Sequence, residues 1–165
     1  PLPELAMPER IQNLHILVGT VSGTAERVAQ AIELSCTDLA DSIQVQQMDD
    51  LEIAVFTDDR LFLICTSTYG SGDVPANARP LYDALELHPQ FLGNVRYGVL
   101  ALGDLASHAS TYCFGGKAFD ERLRDLGAQR LGDLGCLDAS SDELPEAAGV
   151  TWCRDWLKLA AETWG

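Results

Sequence analysis

Hydroxyl side chains and glycines concentrate in two short stretches, residues 19–26 and 66–73, each directly after an apolar run. In the first, Thr20, Ser22 and Thr24 supply O–H donors and Gly23 lets the main chain approach a ligand. A helical pattern begins by Ala25, so the unpaired N–H groups of its first turn point into the loop. A loop of this kind suits an anion such as a phosphate group. Neither Lys nor Arg lies between Gly19 and Glu26, so the expected donors are neutral. A helix dipole contributes only ~0.3–1 kcal/mol, whereas each hydrogen bond to a charged acceptor contributes roughly 1.5–3 kcal/mol. Several neutral donors therefore stand in for a lysine. A triphosphate loop would need Gly-Lys-Ser/Thr and a dinucleotide loop a Gly-x-Gly-x-x-Gly run, and neither is present. For this loop alone the plain alternative is a strand-to-helix turn N-capped by Ser22 or Thr24.

The second stretch follows the apolar run 60–65 and sets Tyr69 between Thr68 and Gly70, with Ser67 before it and Ser71 and Gly72 after. A flat heteroaromatic ring is held well by an aromatic side chain over one face, with glycines clearing the way for backbone amides at its polar edge. A third segment has the same form. The apolar run 95–102 ends at Leu102, Gly103 and Asp104, and His108, Tyr112 and Cys113 follow.

The elements that position these loops alternate along the chain. Strands are expected at 14–19, 43–48, 60–67, 95–102 and 130–137, and helices at 24–36, 77–87, 116–127 and 146–164, with a short helix or loop at 49–57. The pattern predicts an α/β fold with a right-handed doubly wound parallel sheet. Loops at the carboxyl ends of its strands converge on a ligand at the topological switch point. Trp152 and Trp156, one helical turn apart beside Leu157 and Ala160, read as core packing. Residues 1–12, with three prolines, read as an N-terminal extension or linker, and residues 13–165 as one domain.

Thr20-Val21-Ser22-Gly23-Thr24-Ala25-Glu26, Ser67-Thr68-Tyr69-Gly70-Ser71-Gly72-Asp73 with Pro75 and Asn77, and Ala101-Leu102-Gly103-Asp104 resemble the three FMN-binding loops of flavodoxins. The likeness is greatest to short flavodoxins of the MioC type and to the FMN domains of sulfite reductase and cytochrome P-450 reductase, and covers roughly residues 14–160. It implies a five-stranded sheet in the order 2-1-3-4-5. It also implies that Thr20 to Ala25 bind the FMN phosphate, while Thr68 to Gly72 cover one face and the pyrimidine edge of the ring. The third loop departs from the family. Asp104 to Cys113 is two residues longer, and counting back from Cys113 puts Ala109 near the position of the tyrosine that stacks on the second flavin face. His108 or Tyr112 would have to take that role along a re-routed loop.

The resemblance implies an FMN-dependent electron carrier between a reductase and an acceptor redox enzyme, with no catalytic side chain and no metal. The alternative is a flavodoxin-like interaction module that has lost FMN. A phosphorelay receiver would need an acidic pair after the first strand and an Asp at the end of the third, where Gly19-Thr20 and Cys65-Thr66 stand. A hydrolase elbow, Gly-x-Ser-x-Gly, is missing at the strand ends, and no segment suggests a nicotinamide site.

The formal net charge of −14, from 25 acidic and 11 basic residues, argues against nucleic acid and anionic membrane surfaces and favours a basic reductase protein or domain as electron donor. It also favours a monomer. No apolar stretch approaches the ~20 residues of a membrane helix and the N-terminus lacks signal-peptide character, so a cytoplasmic protein is expected. The five cysteines are odd in number and lack a Cys-x-x-Cys pair, so neither disulfides nor zinc are expected. Cys65 and Cys136 read as core residues and Cys113 as a packed thiol in the third loop. None of His15, His88 and His108 has a partner that suggests acid–base chemistry.

Overall fold

The computed structural model describes residues 10–20, 22–69, 72–106 and 109–164. Six parallel strands, β1 (Ile11–Gly19), β2 (Ala40–Gln47), β3 (Leu61–Thr66), β4 (Arg96–Gly103), β5 (Gln129–Arg130) and β6 (Gly135–Asp138), form one sheet. Its order is β2-β1-β3-β4-β5, with β6 also on β4. The helices are α1 (Thr24–Ser35), α2 (Arg79–Leu87), α3 (Phe114–Asp125) and α4 (Pro145–Trp164), with 3₁₀ turns at Ile53–Val55, Ala76–Ala78 and Ala109–Thr111. Among the described residues no helix is long and apolar enough to cross a membrane.

The central strands read as continuous apolar runs because both their faces are covered. Along β3, Leu61, Leu63 and Cys65 enter the core beneath α1 and α4, while Phe62 and Ile64 enter the one beneath α2 and α3. Fully burying each such aliphatic or aromatic side chain contributes roughly 1.5–3 kcal/mol. Trp156 is buried and donates from Nε1 to the Leu131 carbonyl at 2.8 Å, and Trp152 stacks on it at 5.6 Å. Their rings fill the space that side chains at Gly98 and Gly135 would need. The tryptophan pair is core packing, as its spacing predicts.

Two expectations are corrected. The strand expected at 130–137 is two segments: Tyr97 pairs with Arg130 and Leu100 with Gly135, so the chain inserts two extra residues beside β4. Gly132 turns there in the left-handed region at φ +73°, a conformation that breaks a continuous ladder. β1 begins at Ile11, which is buried and paired with Ala40, three residues ahead of the strand start expected at 14. Arg10 is fastened beside it by an ion pair to Asp41 at 2.8 Å and by donation to the Asp38 and Thr37 carbonyls.

Register brings the loop-bearing ends level, with Gly19 opposite Thr66, Thr66 opposite Ala101, and Gly103 opposite Asp138.

Candidate functional site

Gly19 ends β1 so close to β3 that a Cβ there would lie 2.5 Å from Thr66 Oγ1. Thr20 then braces the first loop: its N–H donates to Asn77 Oδ1 at 2.9 Å, and its Oγ1 accepts from the Gly23 N–H at 2.8 Å. Asn77 Nδ2 lies 3.2 Å from the Val18 carbonyl and 3.1 Å from Gln47 Oε1, joining the ends of β1 and β2 to this loop. Gly23, at φ +90°, precedes α1. Nothing in a loop-by-loop reading gives Asn77 this bracing role, because its partners lie 28 to 59 residues away in sequence.

The second loop is closed by reciprocal bonds between Tyr69 and Asp73 main chains, with N···O distances of 2.7 and 2.9 Å. Thr68 ties it to the third loop and to α3. Its hydroxyl donates to the Leu102 carbonyl at 3.0 Å and accepts from the Gly115 N–H at 3.0 Å. Gly115 permits this approach, since a Cβ there would meet the Ser67 carbonyl at 2.4 Å. At the end of β6, Asp138 Oδ1 accepts from Ser140 Oγ at 2.6 Å, from the Ser140 N–H at 2.9 Å and from the Leu105 N–H at 3.0 Å. Those donors, Ser140 foremost, hold its carboxyl below the usual carboxylate range.

These segments enclose a cleft of about 290 Å3. Ser22 and Thr24 reach it from the first loop, Ser67, Thr68 and Tyr69 from the second, and Leu102, Gly103, Asp104, Tyr112 and Cys113 from the third. Thr111 and Ala139 also line it, and sequence reading missed both; Ala139 arrives through its N–H bond to the Gly103 carbonyl at 2.7 Å. Thr20 and Gly23 stand behind the wall as braces. Ala25 buries its methyl group in the core, so it offers a ligand only its main chain. Gly72 packs behind the cleft residue Thr111, where a Cβ would lie 3.3 Å from the Phe114 ring and 3.4 Å from Thr111. Val21, Gly70, Ser71 and His108 lie outside the described residues.

Tyr69 is 54% exposed, so about half of its side chain is open to solvent beside the cleft. Tyr112 packs across Gly103, where a Cβ would lie 2.9 Å from its ring. Burial, then the charge of Asp138, raises its phenol pKa.

The expectation of unpaired cysteines is overturned by a disulfide between Cys113 and Cys136, whose Cα atoms are 6.1 Å apart. Cys113 is therefore no packed thiol. Cys136 is exposed rather than core, because side chains alternate along the short β6 and its neighbour Gly135 takes the inward place. Cys65 is fully buried as predicted, and burial pushes its thiol up to about 12. The expectation of a first loop without a cation also needs correction. Arg27 lies one residue beyond the stretch considered, and its Nη2 donates to Thr24 Oγ1 at 3.1 Å.

The donor set fits FMN. Hydroxyls and the free N–H groups of a helix start stand at one end of the cleft, and the aromatic rings of Tyr69 and Tyr112 line the same space. A family model described as flavodoxin matches residues 16–152. The chain belongs to the flavodoxin family. FMN is the cofactor of this family, and electron transfer is its work. Flavodoxin YqcA of Escherichia coli strain K12 is 36% identical over 144 residues, which cover 87% of this chain and 95% of that relative. Methionine synthase reductase of Bos taurus is 36% identical over 129 residues, covering 74% of this chain but 18% of the much longer relative. Among solved structures, the C101A mutant of a flavodoxin from Pseudomonas aeruginosa superposes with a TM-score of 0.71 at 29% identity, covering 90% of this flavodoxin and 98% of that chain.

Proposed function

We propose that this flavodoxin binds FMN in the cleft between Thr24 and Tyr112 and carries single electrons from a basic reductase protein or domain to an acceptor redox enzyme. The observation that carries the reading is the convergence of hydroxyl donors and two tyrosines on one cleft at the carboxyl ends of β1, β3 and β4. FMN, when bound, supplies the redox chemistry, taking electrons in pairs and releasing them singly.

The protein's own residues bind and orient. Ser22, Thr24 and the N–H groups opening α1 hold the phosphate, and Tyr69 covers one face of the ring. Tyr112 takes the second face, the role for which the lengthened third loop offers only Ala109 near the family's position. Thr68 fixes the spacing of the second and third loops through its two hydrogen bonds. The exposed Tyr69 leaves the ring edge reachable by a partner. Leu105 and Phe114, also exposed, follow the cleft residues Asp104 and Cys113 in sequence and add apolar contact at the rim. The net charge of −14 attracts a basic partner and speeds its encounter.

The test is a visible absorption spectrum, an FMN titration followed by fluorescence quenching, and reduction of the loaded protein by a basic flavoprotein reductase. Stoichiometric quenching is expected. The reduction rate should fall as ionic strength rises from about 0.01 to about 0.15 M, over which the screening length shrinks from about 30 to about 8 Å. Colourless protein indifferent to FMN would overturn the reading, and a salt-independent rate would overturn the charge-steered partner.

A further inference from the structure

We infer that Arg27 is a cationic contact for the FMN phosphate, an assignment that rests on the FMN reading above. The first loop spends part of its neutral donor set on itself, since the Gly23 N–H is bonded to Thr20 Oγ1 and the Thr20 N–H to Asn77 Oδ1. What remains is one hydroxyl hydrogen of the Ser22–Thr24 pair, whose oxygens share a hydrogen bond at 3.4 Å, and the N–H groups of Thr24, Ala25 and Glu26, which have no carbonyl within the helix to bond. The Arg27 N–H closes the first turn on the Gly23 carbonyl at 3.0 Å, so its main chain is occupied too.

Its side chain is not spent. Helical side chains lean toward the N-terminus, and that tilt carries the guanidinium back over the loop three residues earlier. Nη2 donates to Thr24 Oγ1 at 3.1 Å, and Nη1 lies 3.4 Å from where a Cβ on Gly23 would be. A guanidinium has five N–H donors. Thr24 uses one, and Glu146 stands 3.9 Å from Nε, an ion pair too long for a hydrogen bond and largely solvent-screened, with Arg27 54% exposed. Thr24 Oγ1 accepts from Arg27 and shares a hydrogen bond with Ser22 Oγ at 3.4 Å, so the guanidinium and both hydroxyls stand together where an anion can be bound. A dianionic phosphate brought beside Glu26 and Glu146 on a chain of net charge −14 gains from such a cation.

The phosphate separates this role from general packing, because riboflavin has the same ring without it. Wild type, Arg27→Gln and Arg27→Lys are titrated with FMN and with riboflavin by fluorescence quenching at low and high salt, with circular dichroism as the check on folding. Arg27→Gln should weaken FMN about ten-fold, leave riboflavin within about two-fold, and flatten the salt dependence of FMN binding. Arg27→Lys should recover part of the loss, keeping the charge without the fork of donors. Glu146→Gln, which frees the guanidinium from its competing carboxylate, should tighten FMN. Equal FMN affinity in wild type and Arg27→Gln, or equal loss of FMN and riboflavin, overturns the assignment while the FMN reading stands. A wild-type protein that binds no FMN overturns both.

Discussion

Cys113 and Cys136 are joined by a disulfide that pins the end of the third loop, at the first turn of α3, to β6 across the sheet edge. Cys113 lies in the wall of the cleft and is fully buried, while Cys136 is exposed, so a reductant in solution can reach the bond from the outer side. The bond closes a loop of 23 residues in sequence separation, for which chain entropy predicts a contribution of about 3 kcal/mol. Thiol titration of the denatured protein should find three thiols, Cys36, Cys65 and Cys153, without reductant and five with it. Reduction, or Cys136→Ser, should lower unfolding stability by about 3 kcal/mol in urea titrations and weaken FMN binding as the third loop loosens. Five thiols in the untreated protein would refute the bond.

Thr68 is the joint between the second and third loops. Thr68→Val keeps the shape but leaves the Leu102 carbonyl and the Gly115 N–H without their side-chain partner. The expected cost is about 1–3 kcal/mol, together with loss of FMN affinity, and Thr68→Ser should recover most of both. Urea midpoints and FMN titrations of the two variants check this, and a Val variant as stable as wild type would remove Thr68 from its bracing role.

His15 is buried on the α2 and α3 side of β1, with Nε2 2.8 Å from Gln46 Oε1, its ring against Phe62, and no partner for Nδ1 among the described residues. Burial, with a smaller contribution from Arg60 against the bond to Gln46, holds its pKa below 6.5. Near pH 6.5 the unfolded chain takes up a proton that the folded chain refuses, so acid favours unfolding. The stabilisation is complete above pH 6.5 and is lost progressively as the pH falls from 6.5 to the lowered folded value, at up to about 1.4 kcal/mol per pH unit. Asp38 and Asp138, whose pKa values lie below 3.8, do not titrate in that window. Stability against pH between 7 and 5 should slope for wild type and flatten for His15→Phe.

The site divides by the sequence distance of its interactions. Ser22, Thr24, Ser67, Thr68 and Tyr69 were legible because each stands next to the strand that delivers it, and the burial of β3 and β4 on both faces writes that strand as an unbroken apolar run. Arg27 was one residue outside the stretch read as a loop, and only the backward lean of helical side chains returns it there.

The sequence by itself therefore determined the alternation of strands and helices, the doubly wound sheet and the two loops richest in hydroxyls and glycine. It did so because burial period and turn chemistry are local properties. Only the tertiary structure decided that Asn77 braces the first loop, that Cys113 pairs with Cys136, that the last strand breaks at Gly132, and that Tyr112 reaches the cleft. Each of these depends on groups brought together by sheet register and helix packing across tens of residues, a distance over which neither spacing nor composition carries information.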